Sequence, residues 1–286
     1  MQTGQRVALS GMIVSAALAA IKVTIGLMGG SQAVVADGLE SFGDVFASGI
    51  VLLGLTLANR PPDWNHPYGH GRVETITGLF VGMMLGAAGV AISTNAFLHL
   101  GSVDGPPATY VVWPLIASAA VKIVLSGVKF HFGRKIRSAA LMADAWHDSV
   151  DIFSALVALV AVSFTILAPH KFASADHWGA FAVGLIVVLT GLRVSRDTAL
   201  QLMDTMPDSE TMAKIRDVAV TVPGVQGIEK CYARKTGLQY HVDLHLEVNP
   251  EITVRQSHDI ATQVRIVIKE TLPWVADVLI HVEPAP

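Results

Sequence analysis

Six apolar stretches, near 7–29, 33–58, 74–100, 110–132, 141–168 and 178–202, are separated by polar breaks rich in Pro, Gly, Arg and Asp. Each reaches the roughly 20 residues a helix needs to cross a bilayer, so the pattern predicts six membrane-spanning helices. Small residues around Ser15–Ala20 also allow a signal peptide over the first stretch, but five further spans favour a first membrane helix. Beyond Pro207 the period changes. A helix-like stretch at 208–221 precedes strand-like runs at 226–234 and 239–248, a helix-like stretch at 254–270 and a strand-like run at 276–283. That order, αββαβ, describes a small two-layer α+β domain. The expected fold is therefore a membrane α-helical bundle of six transmembrane helices plus a small cytoplasmic C-terminal domain, divided at 1–206 and 207–286.

The polar residues inside the apolar stretches carry more information than the stretches themselves. Lys22, Gly26, Ser31, Ala33, Ala36, Asp37 and Asp44 reappear 107 positions later as Lys129, Gly133, Ser138, Ala140, Ala143, Asp144 and Asp151, with Glu40 answered by His147. With six spans the second and fifth helices run in opposite directions, so the repeat is inverted. Ionisable side chains at bilayer depth are costly and usually face a bundle interior along a pathway. Residues four apart share a helix face. Glu40 and Asp44 thus offer two carboxylates from the second helix, and His147 and Asp151 an imidazole and a carboxylate from the fifth. One nitrogen and three oxygen groups form a four-ligand set for Zn²⁺, tolerable for Fe²⁺, Mn²⁺ or Co²⁺.

Asp37 and Asp144 are read as capping or packing groups, and Asp148, about 100° around the helix from His147, as structural or an entrance charge. Lys22 and Lys129 are read as snorkelling to a helix end, with pairing to Asp37 or Asp144 as the alternative. Gly26, Gly43, Ser48 and Gly49 permit close helix approach, and Met83 and Met84 are assigned to the core.

Composition agrees with a membrane region followed by a soluble one. Hydrophobic residues make up 52% and charged residues 15% of the chain, against about 25% charged in a soluble domain. Residues 207–286 hold 19 of the 43 charged residues. Arg6, Arg60, Arg72, Arg134, Lys135, Arg137, Arg193 and Arg196 fall on one side of the six-span arrangement and only Lys171 on the other. The positive-inside rule then puts both termini in the cytoplasm. A net charge of −3 without a basic tract argues against a nucleic-acid partner. The single cysteine, Cys231, excludes an internal disulfide and a Cys-based zinc module.

Two further clusters have ligand chemistry. The loop Pro61-Pro62-Asp63-Trp64-Asn65-His66-Pro67-Tyr68-Gly69-His70-Gly71-Arg72 can close Asp63, His66 and His70 around one divalent ion. In the tail, His241, Asp243, His245 and Glu247 alternate along one strand and so share a sheet face, with His258, His281 and Glu283 nearby. Arg72 is placed to pair with Asp204.

These residues resemble the cation diffusion facilitator family of divalent metal/proton antiporters. The resemblance spans essentially the whole chain and rests on Ala36-Asp37…Glu40…Asp44, on Asn65-His66-Pro67-Tyr68-Gly69-His70-Gly71-Arg72, and on Ala143-Asp144…His147…Asp151. It implies a homodimer in the cell (inner) membrane that exports Zn²⁺, or Fe²⁺, Mn²⁺, Co²⁺ or Cd²⁺, in exchange for protons, with no prosthetic group and no enzymatic activity. By the same likeness Glu40, Asp44, His147 and Asp151 match the transport site, and Asp63, His66 and His70 a loop site. His245, His258, His281 and Glu283 match a binuclear regulatory site in the tail, with Glu229 standing where a related zinc-binding tail has His. Glu40 departs from the family too, at a position that is usually Asp or His. Protonation of a His and carboxylate set releases its metal, and an imidazole with an unperturbed pKa of about 6.5 switches near cytoplasmic pH. Two other classes stay open: an intramembrane metalloenzyme, for which no nucleophile or substrate cleft is signalled, and a membrane-anchored metal sensor whose tail does the work.

Overall fold

A computed structural model describes the backbone of residues 2–58, 60–101, 105–135 and 139–286, and the side chains of these except at 2–11, 51, 52, 55, 132–135, 139–145 and 147. Six long helices come first: α1 (Gln2–Gly29), α2 (Gln32–Ala58), α3 (Arg72–Leu98), α4 (Val112–Lys135), α5 (Ala139–Leu167) and α6 (Ala175–Leu202). The tail follows as α7 (Ser209–Ala219), β1 (Val225–Thr236), β2 (Gln239–Val248), α8 (Val254–Thr271) and β3 (Val275–Pro284). This is the expected membrane bundle followed by the αββαβ domain. Among the described residues, the stretches Met12–Gly29, Arg72–Leu98, Thr109–His131, Asp148–Leu167 and Ala175–Leu202 are long and apolar enough to cross a membrane. The 27-residue α2 is as long but carries Asp37, Glu40 and Asp44.

The chain divides into two compact units, residues 1–50 with 80–194, and residues 51–79 with 195–286. The first is built inside out relative to a soluble domain. Phe42, Phe46, Phe80, Phe97 and Phe153 stand on its outside, each more than half exposed, while Lys22, Asp37, Glu40, Lys122, Asp148 and Asp151 are buried within it. Such a distribution suits a solvent as apolar as Leu itself, in which packing and internal hydrogen bonds hold helices together. Close packing uses glycine where helices cross: a Cβ on Gly26 would lie 2.8 Å from Val35 Cγ2 of α2, and one on Gly191 of α6 2.4 Å from the Gly86 backbone of α3. Gly49 has nothing within 4 Å of that position, and Met83 is 55% exposed rather than core, because lipid-facing and core positions in such a bundle are equally apolar.

The α1–α2 corner is fixed by side chains. Gly30 takes a positive φ of 68°, ending α1. Asp176 of α6 then caps α2, its Oδ1 accepting from the Ser31 hydroxyl at 2.6 Å and its Oδ2 from the Gln32 amide at 2.5 Å. Asp37 therefore has no capping task. Lys22 does not snorkel: only 1% exposed, it donates to Asp37 Oδ2 at 2.7 Å and to Ser41 Oγ at 2.6 Å. Lys129 is buried as well and pairs with Asp148 at 2.6 Å. Asp148 is Ser41 plus 107, so the α1–α2 contact recurs at matching positions of α4 and α5; Asp144, the repeat partner of Asp37, has its side chain outside the described residues.

In the second unit β1 pairs antiparallel with β2, and β2 parallel with β3, so the sheet order is β1-β2-β3. The parallel pair requires a crossover, which α8 supplies. Thr253 and Gln256 form a capping box at the start of α8, and Asp208 caps α7. Val242, Leu244, Leu246 and Val248 of β2 meet Ile215 of α7 and Val264 and Ile268 of α8 in one core. The odd-numbered residues of β2 consequently face the other side of the sheet.

Candidate metal sites

Within the first unit, Glu40 and Asp44 project from α2 one turn apart and meet Asp151 of α5. The three carboxylates line a cavity of about 10 Å³ together with Leu85, Val150, Val187 and Thr190. A space that size accepts one water or one ion. Glu40 and Asp151 are buried, at 8% and 6% exposure. Two side chains that the sequence pattern did not single out hold these carboxylates. The Ser154 hydroxyl of α5 donates to Glu40 Oε2, and the Lys122 ammonium of α4 donates to Asp151 Oδ2. Ser154 lies three residues beyond Asp151 on the same helix face, which was the available signal. Lys122 sits mid-helix on the face bearing Ser118, Ser126 and Lys129, and those buried polar neighbours distinguish it from a lipid-facing lysine. His147 lies on α5 one turn before Asp151; its side chain, like that of Asp144, is outside the described residues.

The loop between α2 and α3 folds around Asp63. Asp63 Oδ1 accepts from the amides of Asn65 at 3.0 Å and His66 at 2.7 Å, and Gly69 supplies the positive φ of 80° that the turn needs. His66 Nδ1 lies 3.0 Å from Asp63 Oδ1 and His70 Nε2 3.2 Å from Oδ2. Donor atoms of the three residues fall within 4.8 Å of one another, a spacing one ion can satisfy. The His66 amide, and then the His66 side chain, hold the Asp63 carboxyl below its ordinary range, so it is a ready anion at neutral pH. The loop abuts the β1–β2 turn: a Cβ on Gly71 would stand 2.6 Å from the Thr236 carbonyl oxygen, and the Tyr68 ring meets His241 edge-on at 5.8 Å. Burial first, and then the Arg234 charge, push His241 below the usual histidine value. Arg72 pairs with Asp204 at 2.8 Å, as the sequence suggested.

The exposed sheet face gathers the third cluster. The parallel register puts His245 beside His281 and Glu247 beside Glu283. His245 Nδ1 lies 2.5 Å from Glu283 Oε1 and 3.6 Å from Glu229 Oε2, and His281 Nε2 lies 3.9 Å from Glu283 Oε1. Donor atoms of Glu229, His245 and Glu283 lie within 4.8 Å of one another. Hydrogen bonding shared with Glu229 first, and then with His245, holds the Glu283 carboxyl below its usual value. His258 is exposed on α8, near Thr262 at 3.5 Å. Because α8 packs on the core side of the sheet, one chain does not bring His258 to the face that carries His245.

Against known proteins, residues 8–203 match the family model described as the cation efflux transmembrane domain, and residues 207–285 the one described as the cation efflux protein cytoplasmic domain. The manganese efflux system protein MneP of Bacillus subtilis is 32% identical over 287 residues, covering 99% of this chain and 97% of that protein. Metal tolerance protein C1 of Arabidopsis thaliana is 31% identical over 300 residues, 99% of this chain, which spans 63% of that longer protein's length. Magnetosome protein MamB of Paramagnetospirillum magneticum is 30% identical over 271 residues, covering 93% of this chain and 89% of that protein.

Proposed function

The chain belongs to the cation diffusion facilitator family, and on that premise we propose that it exports a divalent metal cation across a membrane in exchange for protons. One observation carries this reading: Glu40, Asp44 and Asp151, from two helices related by the internal repeat, converge on a cavity sized for a single ion. The cargo sits between these carboxylates and the His147 imidazole. Three oxygen donors to one nitrogen suit Mn²⁺ as well as Zn²⁺, and the relative named for manganese efflux makes Mn²⁺ the leading competitor to the Zn²⁺ expected from sequence.

Metal binds the deprotonated ligands, and protons arriving from the far side compete for the same lone pairs and expel it. The inverted halves rock about the site to alternate its access. No prosthetic group and no catalytic step is involved. Residues 1–206 form the transport domain and 207–286 a regulatory domain. The tail is cytoplasmic, in a homodimer in the cell (inner) membrane, and metal at Glu229, His245, His281 and Glu283, with His258 contributed across the dimer, draws two tails together. A link of that kind biases transport only by its differential affinity for the two states.

The test is metal uptake into proteoliposomes under an imposed pH gradient, with Zn²⁺, Mn²⁺, Fe²⁺, Co²⁺ and Cd²⁺ compared. Gradient-dependent uptake that disappears in the Asp44→Ala, His147→Ala, Asp151→Ala triple variant is the expected result. Unchanged uptake by a folded triple variant removes the site assignment.

A further inference from the structure

The inverted repeat matches Asp44 with Asp151, but it sets Glu40 against His147 and, behind the cavity, Ser15 against Lys122. Asp151 is Asp44 plus 107, whereas Lys122 is Ser15 plus 107; Lys22 and Lys129 match one another across the repeat, so Lys122 is the lysine of α4 with no counterpart at the matching position of α1. Lys122 stands ten residues into α4, which begins at Val112. That is about 15 Å along the helix, too deep for its ammonium to snorkel to that end. It is 3% exposed, on the α4 face that also buries Ser118 and Ser126, and its ammonium is spent on Asp151 Oδ2. Asp151 belongs to the cavity wall, whereas Lys122 is not among the described residues that form it. The ammonium therefore meets Asp151 from behind, leaving the site's interior to an ion.

We propose that Lys122 is a specificity-determining residue of the transport site: a fixed counter-charge, retained when the ion binds, that matches the site to a divalent cation. The inference rests on the transport reading above. Glu40, Asp44 and Asp151, deprotonated as metal ligands, bring three negative charges. Lys122 returns one positive charge, and a divalent ion brings the loaded site to neutrality. A monovalent ion leaves one negative charge and a trivalent ion one positive charge, both costly in a dry bundle.

Full-length wild type, K122Q and K122R in proteoliposomes, assayed for Mn²⁺ uptake with La³⁺ as a competitive inhibitor, test this. K122Q leaves a site one charge more negative. Its KM for Mn²⁺ is expected to fall about tenfold and its Ki for La³⁺ about thirtyfold, since the Coulomb energy scales with the charge of the ion. Turnover falls with them, because release slows. K122R keeps the charge and is expected to keep the wild-type ratio of the two constants. A K122Q protein with raised KM, or with both constants shifted by the same factor, overturns the proposal and leaves Lys122 a packing residue. If K122Q does not fold, the structure of the Mn²⁺-loaded wild type decides: Lys122 still paired with Asp151 beside the bound ion upholds the proposal, and an ammonium displaced from Asp151 overturns it. Absence of Mn²⁺ and Zn²⁺ uptake by the wild type itself would instead sink the transport reading, and this inference with it.

Discussion

Replacing Ser154 by Ala removes one hydroxyl and tests whether the ion cavity is pre-organised. Ser154 is fully buried and Glu40 is 8% exposed, so no bulk water takes over the hydrogen bond that Ser154 donates to Glu40 Oε2. A hydrogen bond to a charged group is worth about 1.5–3 kcal/mol, and loss of a residue that orients a metal ligand typically costs about 10–100-fold in affinity. The two figures agree, since each 1.4 kcal/mol is about tenfold. The expected result for Ser154→Ala is therefore a KM for the transported metal raised about 10–100-fold, measured from initial uptake rates in proteoliposomes. Ser48→Ala is the control: Ser48 is exposed, and its hydroxyl only returns to the Asp44 carbonyl of its own helix at 2.9 Å. A KM within about twofold of wild type for Ser154→Ala would refute the claim that this hydroxyl positions Glu40.

Gly71→Ala is expected to weaken metal binding at Asp63, His66 and His70 while sparing the α2–α5 site, because its Cβ would press to 2.6 Å from the Thr236 carbonyl and displace the loop; calorimetric titration of the full chain reads the loss. Ile268→Ala, at a fully buried core position of α8, is expected to destabilise the tail by about 2–5 kcal/mol, seen as a lower denaturation midpoint. Glu283 is held below its ordinary value of 4.5, so its stabilisation is present above that pH and is lost as pH falls through the depressed value; Glu283→Gln is expected to flatten this acid-side decline in denaturation curves.

Much of the fold was legible in the sequence because hydrophobic period reports burial directly. The tail strands at Val225–Thr236, Gln239–Val248 and Val275–Pro284 fall where alternation placed them, and the apolar stretches became the long helices. The cavity lined by carboxylates was half legible. Repeated carboxylates at bilayer depth gave away Glu40, Asp44 and Asp151, since charge there is costly. Ser154 and Lys122 stand outside the repeat, opposite Ala47 and Ser15 in the first half, so the repeat did not single them out despite their helix-face spacing. For Lys22 the sequence favoured snorkelling with pairing to Asp37 as the alternative, and the 2.7 Å contact on α2 decides for the pair. His258 differs again, since its helix position does not say which side of the sheet α8 covers.

Coupled exchange of metal for protons is read by recording lumenal metal and lumenal pH together in proteoliposomes preloaded at acidic pH. Mn²⁺ or Zn²⁺ is expected to enter as the lumen becomes more alkaline, a protonophore collapsing the gradient to stop entry, and Asp151→Ala to abolish both signals. Metal entry indifferent to the gradient, or proton movement that persists without metal, would contradict coupled exchange.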